Sequence, residues 1–209
     1  MHDGRTNQKA RTRKAILDAA VQLLGDGKAV TVPDVAERAQ VSVATAYRYF
    51  PSSDALAEEA SLLTILFLLN LDEVTAAVDH AGDDVHGRVE ALVRKLGKLM
   101  LHNQAPFRTA ARVGWDTWFA QQQLPADERV PVREGRRTGM ARHALIPLKG
   151  KLTDEQMEQL VSALAIAVGT EAAISLTDVA HLEPDPALEV MVTTARWILD
   201  GALTDAGIG

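Results

Sequence analysis

Apolar residues recur at helical spacing through most of the chain, and the period-two alternation of a half-buried strand rises nowhere above noise. The pattern predicts an all-α protein of about nine helices, three in an N-terminal head and six in a larger partner domain. The first helix carries its stripe over Arg13 to Leu24, and two short patterns follow between Thr31 and Phe50. Ser52 or Ser53 then caps a long helix running to about His80. A break at 82–87 precedes a helix from Val89 to Asn103, and Pro106 opens another ending near Gln123. LPADERVP is a loop, Pro131 opens a helix toward Pro147, and LKGK is a turn. Thr153 and Gln156 make a capping box for a helix to about Val179, and HLEPDP breaks the chain before a last helix to about Leu203. The most apolar run, LLTILFLLNL at 62–71, is half the ~20 residues that span a bilayer and is expected to be buried on nearly all sides.

The two short patterns decide the reading. Thr31 can cap the free amides of the next turn, Pro33 sits in the first turn where a missing N–H costs little, and Asp34 puts negative charge near the positive helix end. Val32, Val35, Ala36 and Ala39 share one face, and the two alanines admit a second helix closely. Ser42 offers the next cap, so the break is confined to about Ala39 to Val41. Val41, Ala46 and Phe50 face inward from the second helix, leaving Ser42, Ala44, Thr45 and Arg48 outward. This is a helix-turn-helix.

The outward face suits DNA. In such a motif the N-terminal residues of the second helix approach base edges, where short side chains allow close approach. Val43, Ala44 and Thr45, led by Ser42, fit that place. Tyr47, Arg48 and Tyr49 can reach phosphates at the groove walls, which fixes register; the tyrosine rings serve equally well as core.

TVPDVAERAQVSVATAYRYFPSSDAL, with the preceding RxxILDAAxxLL helix, resembles the DNA-binding domain of the TetR family of bacterial transcriptional regulators over residues 9 to 60. The Thr-led second helix, the aromatic-x-aromatic-Phe end of the third and the Pro-Ser entry to the fourth match in order and spacing. There are two departures. Gln40 stands where the family usually has glycine, at a turn position where a positive φ is expected, and Ser53 stands where lysine often contacts phosphate. The resemblance implies a homodimer on a palindromic operator and an effector that changes operator affinity through the larger domain.

Charge is polarised along the chain. Residues 1–50 hold eight Lys/Arg and five Asp/Glu, whereas residues 51–209 hold fourteen and twenty-three. Arg5, Lys9, Arg11, Arg13 and Lys14 lead into the first helix, and beside a reading head they point to phosphate contact and a localised footprint. The absence of cysteine excludes disulfides and thiolate chemistry and is compatible with a reducing cytoplasm. The basic, polar N-terminus is not a secretory signal. At 209 residues the chain divides naturally into a helix-turn-helix domain at 1–51 and an effector-binding and dimerisation domain at 52–209.

Three features of the larger domain carry function. Phe107, Trp115, Trp118 and Phe119 fall near one helical stripe, either as core or as the wall of an apolar ligand cavity, with Met100, His102, Asn103 and Gln104 as polar or adaptable neighbours. Met157, Val161, Leu164, Val168 and Ala172 form one apolar stripe and Leu188, Met191, Ala195, Ile198 and Ala202 another; paired across a dimer they would build a four-helix interface. Arginines 129, 133, 136, 137 and 142 with His143 are an exposed face paired with acids, or a weaker site for a phosphate-bearing ligand.

Enzymatic motifs are missing: no Gly-rich phosphate loop, nucleophile elbow or HExxH occurs, and His80, Asp83, Asp84 and His86 lie in a polar break. The sequence therefore predicts a cytoplasmic DNA-binding regulator with operator DNA, a second copy and a small, largely apolar effector as partners, needing no cofactor, metal or membrane. Repression is the first expectation. Activation is the alternative within the class, and a helical enzyme or ligand-binding scaffold the alternative outside it.

Overall fold

The computed structural model describes residues 3–130, 132 and 135–208, with side chains from residue 7 onward. Pro131 and Arg133 lie outside the described residues, as does the side chain of Arg5. Among the described residues there is no strand, and the α-helical segments number eleven. Counting each interrupted helix once gives the nine that the pattern predicts.

Two compact units form. The first holds the described residues up to Leu68 together with Asn103–Val132, and the second holds Leu69–His102 and the described residues beyond Val132. The expected division at 51/52 does not coincide with either boundary. Leu56, Ala57 and Ala60 bury in the same cluster as the head, so the helix after the head belongs physically to it.

In the first unit α1 spans Asp3–Gly25. Its buried Ile16, Leu17, Ala19, Ala20, Leu23 and Leu24 repeat with the three-four spacing of one helix face. The helix stops where Gly27 takes φ +70°, with the Gly27 amide on the Leu24 carbonyl and the Lys28 amide on the Leu23 carbonyl, the paired bonds of a Schellman end. The next helices are α2, Val32–Arg38, and α3, Val43–Tyr49. Then comes α4, Ser53–Leu68, opened by the Ser52 hydroxyl, which accepts from the Ala55 amide at 3.1 Å.

The long helix expected from 52 to 80 is in fact two. It breaks at Leu69 and Asn70, and Asn70 caps α5, Leu71–Asp79, by accepting from the Glu73 amide at 3.3 Å. Nor is the 62–71 run buried on nearly all sides. Ser61 and Thr64 lie buried, while Leu62, Leu63 and Leu66 are exposed and Phe67 is 86% exposed.

In the second unit α6, Val85–His102, is the central helix. It buries Val89, Leu92, Val93, Leu96 and Met100 on one stripe. In the first unit α7 spans Gln104–Gln121, and the second continues with α8, Arg136–Ala144. The predicted capping box forms: the Thr153 hydroxyl accepts from the Gln156 amide, whose side chain accepts from the Thr153 amide, and α9 runs Asp154–Ala167. It does not continue unbroken to Val179. The chain leaves the helix at Val168 and Gly169, resumes as α10, Thr170–Ile174, and ends in a π turn at 175–179. The last helix is α11, Pro184–Asp205.

Gly97 lets α6 and α11 cross closely: a methyl group there would lie 2.8 Å from Leu188 Cδ1. The buried Arg88 of α6 closes one end of the unit. It donates to the carbonyls of Gly82, His143 and Ala144 and to Asp79 Oδ1 at 2.8 Å. Runs 53–79 and 154–179 each hold a window apolar enough in composition to cross a membrane. Both are interrupted within the run, and the first turn after the break at Asn70 carries Asp72 and Glu73.

Candidate nucleic-acid interface

The reading head is built from caps outward. Thr31 Oγ1 accepts from the Asp34 amide and donates to Asp34 Oδ2, so α2 begins where its first amides find partners. Ser42 does the same for α3: its hydroxyl accepts from the Thr45 amide at 3.1 Å and donates to Thr45 Oγ1 at 2.8 Å. Between the two, the Gln40 amide bonds the Glu37 carbonyl and the Val41 amide bonds the Ala36 carbonyl, again a Schellman end. That geometry requires a left-handed residue at position 40, and Gln40 supplies it with φ +54°. The strained turn expected from the missing glycine is present.

Val32, Val35, Ala36, Ala46 and Phe50 are buried in a cluster that also takes in the α1 stripe. Packing on that side turns the opposite side of α3 outward. Ser42, Val43, Ala44, Tyr47 and Arg48 are exposed, and Thr45 is half-buried. The two tyrosines, equivalent in the sequence, part company: Tyr49 packs against the core, and Tyr47 stands out at 45% exposure. The α3 tip is thus short-chained and uncharged, with Arg48 and Tyr47 further along.

The basic residues ahead of the head are not equivalent either. Lys9 and Arg11 are exposed, with Arg11 Nε donating to the Asn7 carbonyl of its own helix. Lys14 pairs with Asp18 at 2.6 Å. Arg13 donates to Glu59 Oε2 at 2.6 Å, and its guanidinium carbon lies 4.9 Å from the centre of the Phe50 ring. Ser53, at the position where lysine would meet phosphate, accepts from the Val32 amide at 3.0 Å and so ties the start of α4 to the start of α2. Sequence reasoning missed this bond, because nothing in the spacing of residues 32 and 53 announces it.

The candidate ligand residues divide between the two units. Met100, His102 and His143 belong to the second unit, and Asn103, Phe107, Trp115, Trp118 and Phe119 to the first. Within the second unit His143 Nε2 bonds Asp79 Oδ1 at 2.8 Å, beside Arg88, while His102 sits at the other end of α6 against Asp185. Fourteen residues of helix separate Arg88 from His102, about 20 Å at 1.5 Å per residue. The Arg88 bond holds the Asp79 carboxyl below its ordinary range; burial opposes it, and the His143 bond adds to the lowering. His143 thus serves a structural cluster. In the first unit Phe107 is buried, whereas Trp115, Trp118 and Phe119 stand exposed, the last two packed edge to face at 5.1 Å.

The arginine run is engaged by protein groups. Arg129 bonds the Leu124 carbonyl, Arg137 bonds Glu171 and the Ala165 carbonyl, and Arg142 bonds Glu158. On the two stripes expected at a dimer interface, Val161, Leu164, Val168, Leu188, Met191 and Ala195 are buried within the chain, and Met157, Ala172, Ile198 and Ala202 are half-buried. The large apolar side chains left outside on these helices are Ile166, at 74% exposure on α9, and Val190 and Trp197 on α11. Val190 and Trp197 are seven residues apart and share a face.

Residues 16–60, which span the C-terminal part of α1, the α2 and α3 helices and the first half of α4, match the profile of the bacterial regulatory proteins of the tetR family. The HTH-type transcriptional repressor LfrR of Mycolicibacterium smegmatis is 36% identical over 88 residues, 42% of this chain and 43% of that protein. The HTH-type transcriptional repressor KstR of the same organism is 36% identical over 96 residues, 44% of each chain. The repressor KstR of Rhodococcus jostii is 51% identical over 49 residues, 22% of this chain and 23% of that one. The chain spans less than half the length of each of these relatives.

Proposed function

We propose that this chain, whose residues 16–60 match the tetR family of bacterial regulatory proteins, is a cytoplasmic transcriptional repressor of that family. As a homodimer it binds a palindromic operator, and a small, largely apolar ligand releases it. It acts by binding, with no catalytic step. One observation carries the reading: the N-terminal turn of α3 presents Ser42, Val43, Ala44 and Thr45 outward while Ala46 and Phe50 anchor the helix in the core. A tip of that width enters a major groove, where methyls and hydroxyls read base edges. Arg48, Tyr47, Lys9 and Arg11 then reach the phosphates on either side. Repression is favoured over activation because the relatives that share the head are repressors by name.

Half-site recognition by two copies is supported by the exposed Ile166 of α9 and the exposed Val190 and Trp197 of α11, apolar side chains that a second copy would cover. An apolar effector is supported by the aromatic side chains of α7, beginning with the buried Phe107. An effector acts by preferring one conformation of the protein over another, and the operator affinity follows the populations.

The test is Ala44→Arg, assayed by mobility shift on DNA upstream of the chain's own gene and by circular dichroism. A long cation on the exposed tip blocks groove entry without touching the core, so sequence-specific binding is lost while the thermal midpoint stays within a few degrees. Retained specific binding by the folded variant removes α3 from the groove and defeats the reading.

A further inference from the structure

We propose that Arg13 is a positioning residue of the reading head: it fixes the end of α3 against α4 and so sets the angle at which the α3 tip meets the duplex, instead of contacting phosphate itself. The inference rests on the DNA-binding reading above. Arg13 belongs to α1, Phe50 is the buried C-cap of α3 and Glu59 lies on α4. One guanidinium touches all three, with a face toward the Phe50 ring at 4.9 Å and an edge on Glu59 Oε2 at 2.6 Å.

Arginine suits this place because its cation is planar. It stacks on an aromatic face and hydrogen-bonds a carboxylate in its own plane at once, which the compact ammonium of lysine cannot do. Turning the group toward a phosphate would take it off the ring and away from Glu59. The Val32–Ser53 bond at 3.0 Å is a companion tie, so the start of α2 and the end of α3 are both referenced to α4 by polar groups. The neighbouring cation plays no part in this, since Lys14 is paired with Asp18 along α1.

The full chain is tested on two duplexes, one selected by the wild-type protein from a randomised pool and a scrambled one of equal length. Arg13→Met and Glu59→Met should each weaken the selected duplex by about tenfold. The slope of log affinity against log salt should stay unchanged, because no phosphate contact has been removed. The scrambled duplex should bind as before, and the double variant should be no weaker than either single one, as for two halves of one interaction.

A direct phosphate contact gives different results. Glu59→Met then strengthens binding by releasing a cation, and Arg13→Met lowers the salt slope by about 0.9. Either outcome overturns the proposal, as does a proportional loss on both duplexes with a lowered thermal midpoint. Should Arg13→Met fail to fold, Arg13→Lys decides: the charge remains, so a phosphate contact keeps its affinity and a clamp loses it. A wild-type protein that selects no sequence from the pool defeats the DNA-binding reading itself, and the clamp falls with it.

Discussion

Gln40 shows what a single backbone angle is worth. The Schellman end of α2 needs a left-handed residue, and an L-residue there costs about 1–2 kcal/mol, against about 0.5–1 kcal/mol of extra chain entropy that glycine loses on folding. Gln40→Gly is therefore expected to stabilise the protein by about 0.5–1 kcal/mol, read as a raised denaturation midpoint with an unchanged slope. A lowered midpoint would mean that the glutamine side chain earns its place by some contact of its own. This turn was legible from the sequence because cap, break and cap are local signals, all within Thr31–Ser42. The partners of Arg13 and Ser53 were not, because Glu59 lies 46 residues from Arg13 and Val32 lies 21 from Ser53. A cation before a helix-turn-helix reads as a phosphate ligand until the fold supplies a carboxylate and a ring beside it.

At the scale of the element, apolar periodicity located helices well and their interruptions poorly. Leu62 to Leu71 is apolar almost throughout, so the pattern runs straight across Asn70, yet Asn70 with Glu73 is an N-cap and its third-position partner. Removing the cap by Asn70→Ala should cost about 1 kcal/mol and speed hydrogen exchange of the amides at 71–74 roughly fivefold. Exchange at the wild-type rate would show that packing of Val74 and Val78, both buried, holds α5 unaided. The second break, at Val168 and Gly169, is obscured in the same way by apolar residues on both sides. Here a cation marks it: Arg137 Nη1 sits where a side chain on residue 169 would go, 2.1 Å from the position of a β-carbon.

For the whole molecule, the question periodicity leaves open is which of two apolar faces looks inward. On α9 and α11 the regular stripes of Val161, Leu164, Met191 and Ala195 fill the chain's own core, and the face proposed for a partner is the sparser set of Ile166, Val190 and Trp197. Trp197, 66% exposed, is the largest side chain on it. Trp197→Glu is expected to convert the proposed homodimer to monomer in sedimentation experiments and to weaken the proposed operator binding, since a single head would reach only one half-site. A variant that stays dimeric moves the interface elsewhere. The close crossing at Gly97 bears on descent. An alanine there asks Leu188 to vacate its place, whereas a lineage that first shortens the residue at 188 has room waiting. The two positions drift as a couple, and the order in which their changes arise decides which descendants survive.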